Sequence, residues 1–229
     1  RSALPVLAIA LLFAAAMALL GAFTRYAQRV AVPVVDLRLF RQRSFAVGTL
    51  AGGLCRVGLN GTPFLLPLML QVGFGMSPIG SGSLTFLSSA GAIAIRLFIA
   101  PLLRSLGFEK VLVGSAIAGA AVLAGFGLIE ADTPRWMIGA YVLIFGLIRS
   151  TQYMSSNTLS YSDIPSDRLS QATSLAGLVQ QLTVSFGVSL SAVLLSIVSP
   201  NGHALTGVHF HEVFVLMAIL PLIAVPVLL

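Results

Sequence analysis

Apolar residues fill this chain in seven long runs, without the strict alternation of a half-buried strand or the three-four spacing of a surface helix. The runs cover residues 3–23, 45–70, 81–103, 111–129, 136–159, 169–198 and 213–229. Each predicts a helix long enough to cross about 30 Å of hydrocarbon. Inside lipid a helix satisfies its backbone locally, so the Gly and Pro scattered through these runs do not argue for strands. The fold class is an all-α polytopic membrane helix bundle.

The polar positions that interrupt the last six runs fall into a pattern of their own. In the run 45–70 and just beyond it, Arg56, Asn60, Pro63, Pro67 and Gln71 follow at steps of four, three, four and four, which keeps them on one helical face. The next run carries Ser81, Thr85, Ser88, Ser89 and Arg96, and the one after holds only Ser115. The second group of three repeats this plan. Arg149, Gln152, Tyr153, Ser156 and Ser160 mark its first helix, Ser174, Gln181, Ser185 and Ser189 its second, and its third is nearly all apolar. Two helices with a polar face and one without, twice over, is what a cavity-lining pair plus a lipid-facing third helix requires. With three spans per group the repeats run in opposite senses, and Arg56 and Arg149 come to similar depth near mid-membrane. The expected organisation is a leading span over 1–23, a linker over 24–44 and a six-helix bundle over 45–229, divided into inverted repeats at 45–130 and 135–229.

Loop charge sets the orientation. Arg25, Arg29, Arg38, Arg41 and Arg43 lie in the first loop, Arg104 and Lys110 in the third and Arg168 in the fifth; Arg135 is the one basic residue of the alternate loops. Basic loops stay cytoplasmic, which places the N-terminus outside. Within the linker, the mixed apolar and basic stretch Val34–Arg41 reads as a short interfacial helix. Composition agrees with the class: 57% of residues are hydrophobic and 9% charged, against roughly 25% charged in soluble domains. The net charge of +6 does not point to nucleic acid, because the arginines stand between apolar runs and form no basic face broken by stacking aromatics. Cys55, the single cysteine, excludes an internal disulfide framework. The chain ends inside an apolar run and lacks an initiator Met, and is expected to be a piece of a longer protein.

Charged residues within a bilayer are costly and face a bundle interior, which makes Arg56 and Arg149 the leading candidates for substrate binding or gating. Arg96 lies nearer the cytoplasmic end, where snorkelling competes with a cavity role. Asn60, Gln152, Asn157, Gln180 and Gln181 are polar enough to hydrogen-bond a substrate or a neighbouring helix. None of the seven acidic residues falls in the middle of a span. Since an arginine does not give up its proton, a proton-coupling carboxylate would have to lie outside this chain. Asp163 and Asp167 read as helix caps or partners of Arg168. His209 and His211, with His203, read as a solvated outer loop and not a metal site; no metal or cofactor is expected. An intramembrane enzyme would need a nucleophile–base set or clustered acids at one depth, which the residues do not supply. A scaffold or sensor would not need two mirrored polar triplets.

Several segments are similar to a known family. Pro33-Val34-Val35-Asp36-Leu37-Arg38-Leu39-Phe40-Arg41 with Phe45 resembles the stretch before the last six spans of fourteen-span drug:proton antiporters, the EmrB/QacA type. The loop from Ala100 to Lys110, with Arg104, Gly107 and Lys110, looks like the second-half version of the basic cytoplasmic loop of the major facilitator superfamily, with Glu109 as its single acid. Arg149-Ser150-Thr151-Gln152-Tyr153, Asn157-Thr158-Leu159, Asp163-Ile164-Pro165, Ala172-Thr173-Ser174 and Gln180-Gln181-Leu182 are similar to the fifth and sixth spans of the same group. The resemblance implies the C-terminal half of a multi-pass permease of the cell (inner) membrane, surrounded by lipid. It also implies rocker-switch alternating access and export of small hydrophobic or amphiphilic substrates against protons, with the carboxylates in the first bundle. A permease for an anionic or polar metabolite is the alternative within the same fold.

Overall fold

The computed structural model describes residues 36–199 and 206–228, with single helical positions between 11 and 26. The expected span over 1–23, the linker up to residue 35 and His203 lie wholly or largely outside the described residues. Among the described residues the fold is an all-α membrane helix bundle with six long helical stretches. We name them α1 (43–73), α2 (Pro78–Leu106), α3 (Phe108–Gly125), α4 (Arg135–Tyr161), α5 (Leu169–Val198) and α6 (Gly207–Leu228). Their limits follow the apolar runs closely. The largest shift is at α6, which starts six residues before the expected 213.

The linker enters through a 3-10 turn, Leu37–Arg41, whose Asp36 carboxylate accepts from the Arg38 amide at 2.9 Å. Val34 and Val35 of the expected interfacial helix lie outside the described residues. Leu39 and the following Phe45 are buried against Ala172, Leu175 and Ala176 of α5, so the start of the bundle is clamped by its fifth helix.

α1 is the least regular helix, and its sequence says why. It passes through π-helical turns at Val47–Ala51 and Met69–Gly73, and pauses at Gly61 between Gly52–Asn60 and Thr62–Leu68. Pro63 sits in the first turn after that pause, where its missing N–H is harmless, whereas Pro67 lies inside the helix and removes an internal bond. The ladder reopens as a π turn two residues later. α2, α3 with its 3-10 end, α5 with its leading turn, and α6 are each long and apolar enough to cross a membrane. α1 and α4 are not on that measure, because one is subdivided and the other carries Arg149, Gln152 and Asn157 mid-helix. The two helices that hold Arg56 and Arg149 are therefore the two least suited to lipid alone.

The principal packing partners are unchanged when α1, α2 and α3 are exchanged for α4, α5 and α6, although α1 also meets α2 and α3 more than α4 meets α5 and α6. α2 lies on α4 as α5 lies on α1, α3 lies on α4 as α6 lies on α1, and α3 and α6 lie on each other. The main apolar core is built from α1, α3, α4 and α6, with Leu59, Leu65, Leu66, Met69 and Leu70 of α1 buried in it. There Phe126 stacks on Phe214 with centroids 4.9 Å apart and meets Tyr141 and Phe145 edge-on. The third helix of each triplet is not the most exposed one. Half of the most apolar stretch of α3 is buried inside the bundle, against 11% of that of α2. α3 and α6 stay apolar because they fill the core from one side, while α2 and α5 flank it.

Gly107 alone separates α2 from α3, at φ 80° and ψ 161°. Nearly all residues other than glycine are excluded from that region. Gly107→Ala is expected to cost about 1–3 kcal/mol, seen as a lowered melting temperature of the full-length protein. An unchanged melting temperature would mean the turn adopts a different backbone.

Candidate functional site

α1 and α4 run antiparallel and approach closely. A Cβ on Gly52 would lie 2.8 Å from Cβ of Ser156, and the hydroxyls of Thr49 and Ser160 are 3.2 Å apart. Small residues let two helices meet at this distance, and the contact fixes which side chains further along can reach across.

Beyond that contact the two arginines are bound crosswise. Arg56 of α1 donates to Oδ1 of Asn157 on α4 at 2.9 Å, and Arg149 of α4 donates to Oδ1 of Asn60 on α1 at 3.0 Å. In each helix the arginine and the asparagine lie one or two turns apart, so the antiparallel pairing brings each cation opposite the other helix's amide. Tyr153 sits between Arg149 and Asn157 on the same face of α4. The Arg56 guanidinium carbon is 4.4 Å from its ring centroid, a cation–π contact. The Tyr153 hydroxyl donates to Oε1 of Gln180 on α5 at 2.5 Å, and the Gln180 amide donates to Oδ1 of Asn157 at 2.9 Å. Three helices thus contribute to one network.

Arg56 and Asn60 are almost fully buried, at 3% and 5% exposure, whereas Arg149 is partly exposed and Tyr153 more so. Arg149 and Tyr153 line a cavity of about 220 Å³ with Ser88, Ala92, Gly146 and Ser150, between α2 and α4. Nε of Arg56 and Nδ2 of Asn60 are buried and have no hydrogen-bond partner among the described residues.

Of the residues singled out in the sequence, Arg56, Asn60, Arg149 and Asn157 come together. Gln152 does not join them. It turns away into the bundle, where Ser115 of α3 donates to its Oε1 and its amide donates to Ser156 at 3.4 Å. The sequence stripe on α4 is two neighbouring faces: Arg149, Tyr153 and Asn157 on one, Gln152, Ser156 and Ser160 on the other. Arg96 stands exposed on α2, and Gln181, Ser185 and Ser189 form an exposed stripe on α5, both outside the cross-bonded set. Arg104 and Lys110 are exposed on either side of Gly107. Asp163 and Asp167 cap no helix, since Pro165 and Arg168 occupy the cap positions. His209 and His211 lie in the first turns of α6 and not in a loop; His209 Nδ1 is 3.0 Å from the Thr206 hydroxyl, and His211 Nε2 is 2.8 Å from the Ile129 carbonyl oxygen.

Tyr153 is the member whose role the sequence does not assign; Gln180, polar enough to bond a neighbouring helix, does so through Asn157 and Tyr153. The signal for Tyr153 was its position four residues from both Arg149 and Asn157, which puts all three on one face.

Residues 1–188 match the sequence profile of the Major Facilitator Superfamily. The chain is 31% identical over 228 residues to MdtD of Pectobacterium atrosepticum, which is provisionally named a multidrug resistance protein; the match covers 99% of this chain and 49% of that one. MdtD proteins of Cronobacter sakazakii and Escherichia coli are similar at 33% over 180 residues and 30% over 192, covering 78% and 83% of this chain and 38% and 41% of theirs. The chain spans about half the length of the curated relatives it matches over nearly its whole length. With a profile match over most of its length, on a bundle of membrane-spanning helices, the chain belongs to the major facilitator superfamily.

Proposed function

We propose that this chain is the C-terminal six-helix bundle, over 45–229, of a secondary transporter that exports small hydrophobic or amphiphilic compounds across the cell (inner) membrane. The observation that carries this is the crosswise bonding of Arg56 and Arg149, at mid-helix, between the two least apolar spans of a major facilitator chain. Cations kept at that depth mark substrate or coupling pathways in membrane proteins. The exchangeable packing of α1–α3 and α4–α6 supports an inverted repeat, in which a functional site lies between the two units and alternating access is a rocking motion about it. The provisional naming of the MdtD relatives supports drug-like substrates. The likeness of residues 33–45 to the EmrB/QacA type supports membership of the fourteen-span group and protons as the coupling ion. No acidic residue of this chain lies near the arginine pair, so the titrating carboxylate belongs to the other half of the transporter.

The full-length protein, reconstituted in liposomes with an imposed pH gradient, is expected to move members of a panel of fluorescent amphiphiles of either charge. Movement should collapse when the gradient is dissipated. Movement indifferent to the gradient would overturn proton coupling, and no movement of any probe would overturn the transporter reading. Arg149→Gln, at the arginine that lines the cavity between α2 and α4, is expected to reduce initial rates by about tenfold or more, the scale of one lost charge-assisted hydrogen bond.

A further inference from the structure

The polar network around Arg56 and Arg149 has a surplus of donors and of positive charge. Each guanidinium offers five N–H groups and no acceptor. The acceptors that face them across the α1–α4 contact are single neutral amide oxygens, and the one serving Arg56 is shared with Gln180. Arg56 Nε and Asn60 Nδ2 are buried donors left without a partner among the described residues. Both residues are more than nine-tenths buried. No carboxylate offsets the charge: Asp36, Glu109, Glu130, Asp132, Asp163, Asp167 and Glu212 all lie in connections or near helix ends. Buried charges are normally paired, and an arginine cannot escape by losing its proton.

Such a site is completed by something rich in acceptors and negatively charged. The way in is the side where Arg149 is partly exposed, the cavity of about 220 Å³ between α2 and α4. Its other walls are small or apolar, with Gly146, Ala92, Ser88 and Ser150, and the ring of Tyr153 forms one side. That surface suits a compact apolar or aromatic body joined to an anionic head. A cationic ligand would meet two positive charges and no acceptor with charge to match.

We propose that the Arg56–Arg149 pair and the adjoining cavity bind organic anions, an aromatic or apolar body against Tyr153 and a sulfonate, carboxylate or phosphate head on Arg149. This rests on the transporter reading and narrows it to a substrate class. The head takes the place of Asn60 Oδ1 on Arg149, and the amide of Asn60, already short of an acceptor, turns to donate to the same head.

The test compares two probes of one body and opposite heads, 2-naphthalenesulfonate and 2-naphthyltrimethylammonium. Binding is measured by equilibrium dialysis against the full-length protein in nanodiscs of uncharged lipid. The sulfonate is expected to bind about tenfold or more tightly than the ammonium. Arg149→Gln should weaken the sulfonate by about tenfold, Arg149→Lys by much less, and Arg96→Gln, on the exposed face of α2, not at all. Equal binding of the two heads by the unaltered protein, or sulfonate affinity unchanged in Arg149→Gln, overturns the anion site and assigns the arginines to a carboxylate of the other half. If Arg149→Gln does not fold, the head-group comparison and Arg149→Lys decide. Gradient-driven transport without anion selectivity would sink this site and leave the transporter reading standing; selective sulfonate binding without transport of any probe would do the reverse.

Discussion

Gly146→Val is expected to separate α2 from α4 and to give the largest loss of stability of any single change outside the arginine network. A Cβ at Gly146 would land on the Ser88 carbonyl oxygen and within 2.7 Å of the Ser88 Cα. On the facing helix, a Cβ at Gly91 would meet the Leu143 carbonyl oxygen and lie 2.9 Å from the Leu147 nitrogen. Each glycine therefore receives the backbone of the other helix, and no side-chain rotation can make room. In lipid there is little hydrophobic drive between helices, so close backbone contact supplies most of the association. Overpacking of such a site costs about 3 kcal/mol or more, since whole helices must move. The measurement is the melting temperature of the detergent-solubilised full-length protein, read by size exclusion after heating. Gly114→Ala is the control, because nothing lies within 4 Å of the added carbon. If Gly146→Val melts with the unaltered protein, the close crossing of α2 and α4 is wrong. The cavity beside Arg149 would then have different walls, since Ser88 and Gly146 line it.

The spans were legible because hydrocarbon imposes one requirement along the whole chain: continuous apolar length with an internally bonded backbone. That requirement is local, and it located the described helices to within a few residues. α6 was the exception: His209, His211 and Glu212 look like loop residues by polarity but sit in its first turns, where a helix leaves the hydrocarbon. The candidate site was legible in part for a related reason. A charge at mid-span is visible in one dimension, and Arg56 and Arg149 needed no partner to be noticed.

What the arginines touch depends on how two helices are rotated and offset against each other, and no single helix records that. Gln152 and Tyr153 are neighbours in sequence, yet one bonds Ser115 of α3 and the other carries Arg56 over its ring. The choice between them was made by Gly48 and Gly52, which admit Ser156 and Ser160 and so set the rotation of α4 against α1. Similarly, the stripe of Gln181, Ser185 and Ser189 was expected to share the arginines' cavity, but α5 turns its small face, with Thr183 and Gly187, to α1. A helix with two plausible polar faces buries the one that allows closer approach. Backbone proximity outranked polarity.

Asn157→Leu is expected to destabilise the protein by about 3–5 kcal/mol, because it strands a buried guanidinium. Arg56 is 3% exposed, its Nε already lacks a partner, and Asn157 Oδ1 accepts its hydrogen bond. With the acceptor gone, the Tyr153 ring is what remains against the charge among the described residues, and such a contact is worth about 2 kcal/mol at a desolvated site, less than the loss expected. Gln180, which donates to the same oxygen, loses a partner as well. Removing both sides of the pair should be milder than removing one. In Arg56→Met with Asn157→Leu the charge is absent, and an unbranched side chain can fill the space its stem occupied. The double variant should therefore recover most of the melting temperature lost by Asn157→Leu alone. That recovery separates the pair's structural contribution from its role in transport, because the double variant is expected to fold and yet fail to move substrate. If Asn157→Leu is as stable as the unaltered protein, Arg56 has an acceptor elsewhere in the full-length transporter. If the double variant is less stable than the single, the arginine stabilises the bundle by contacts other than this one, and the donor surplus at the site is smaller than its geometry implies.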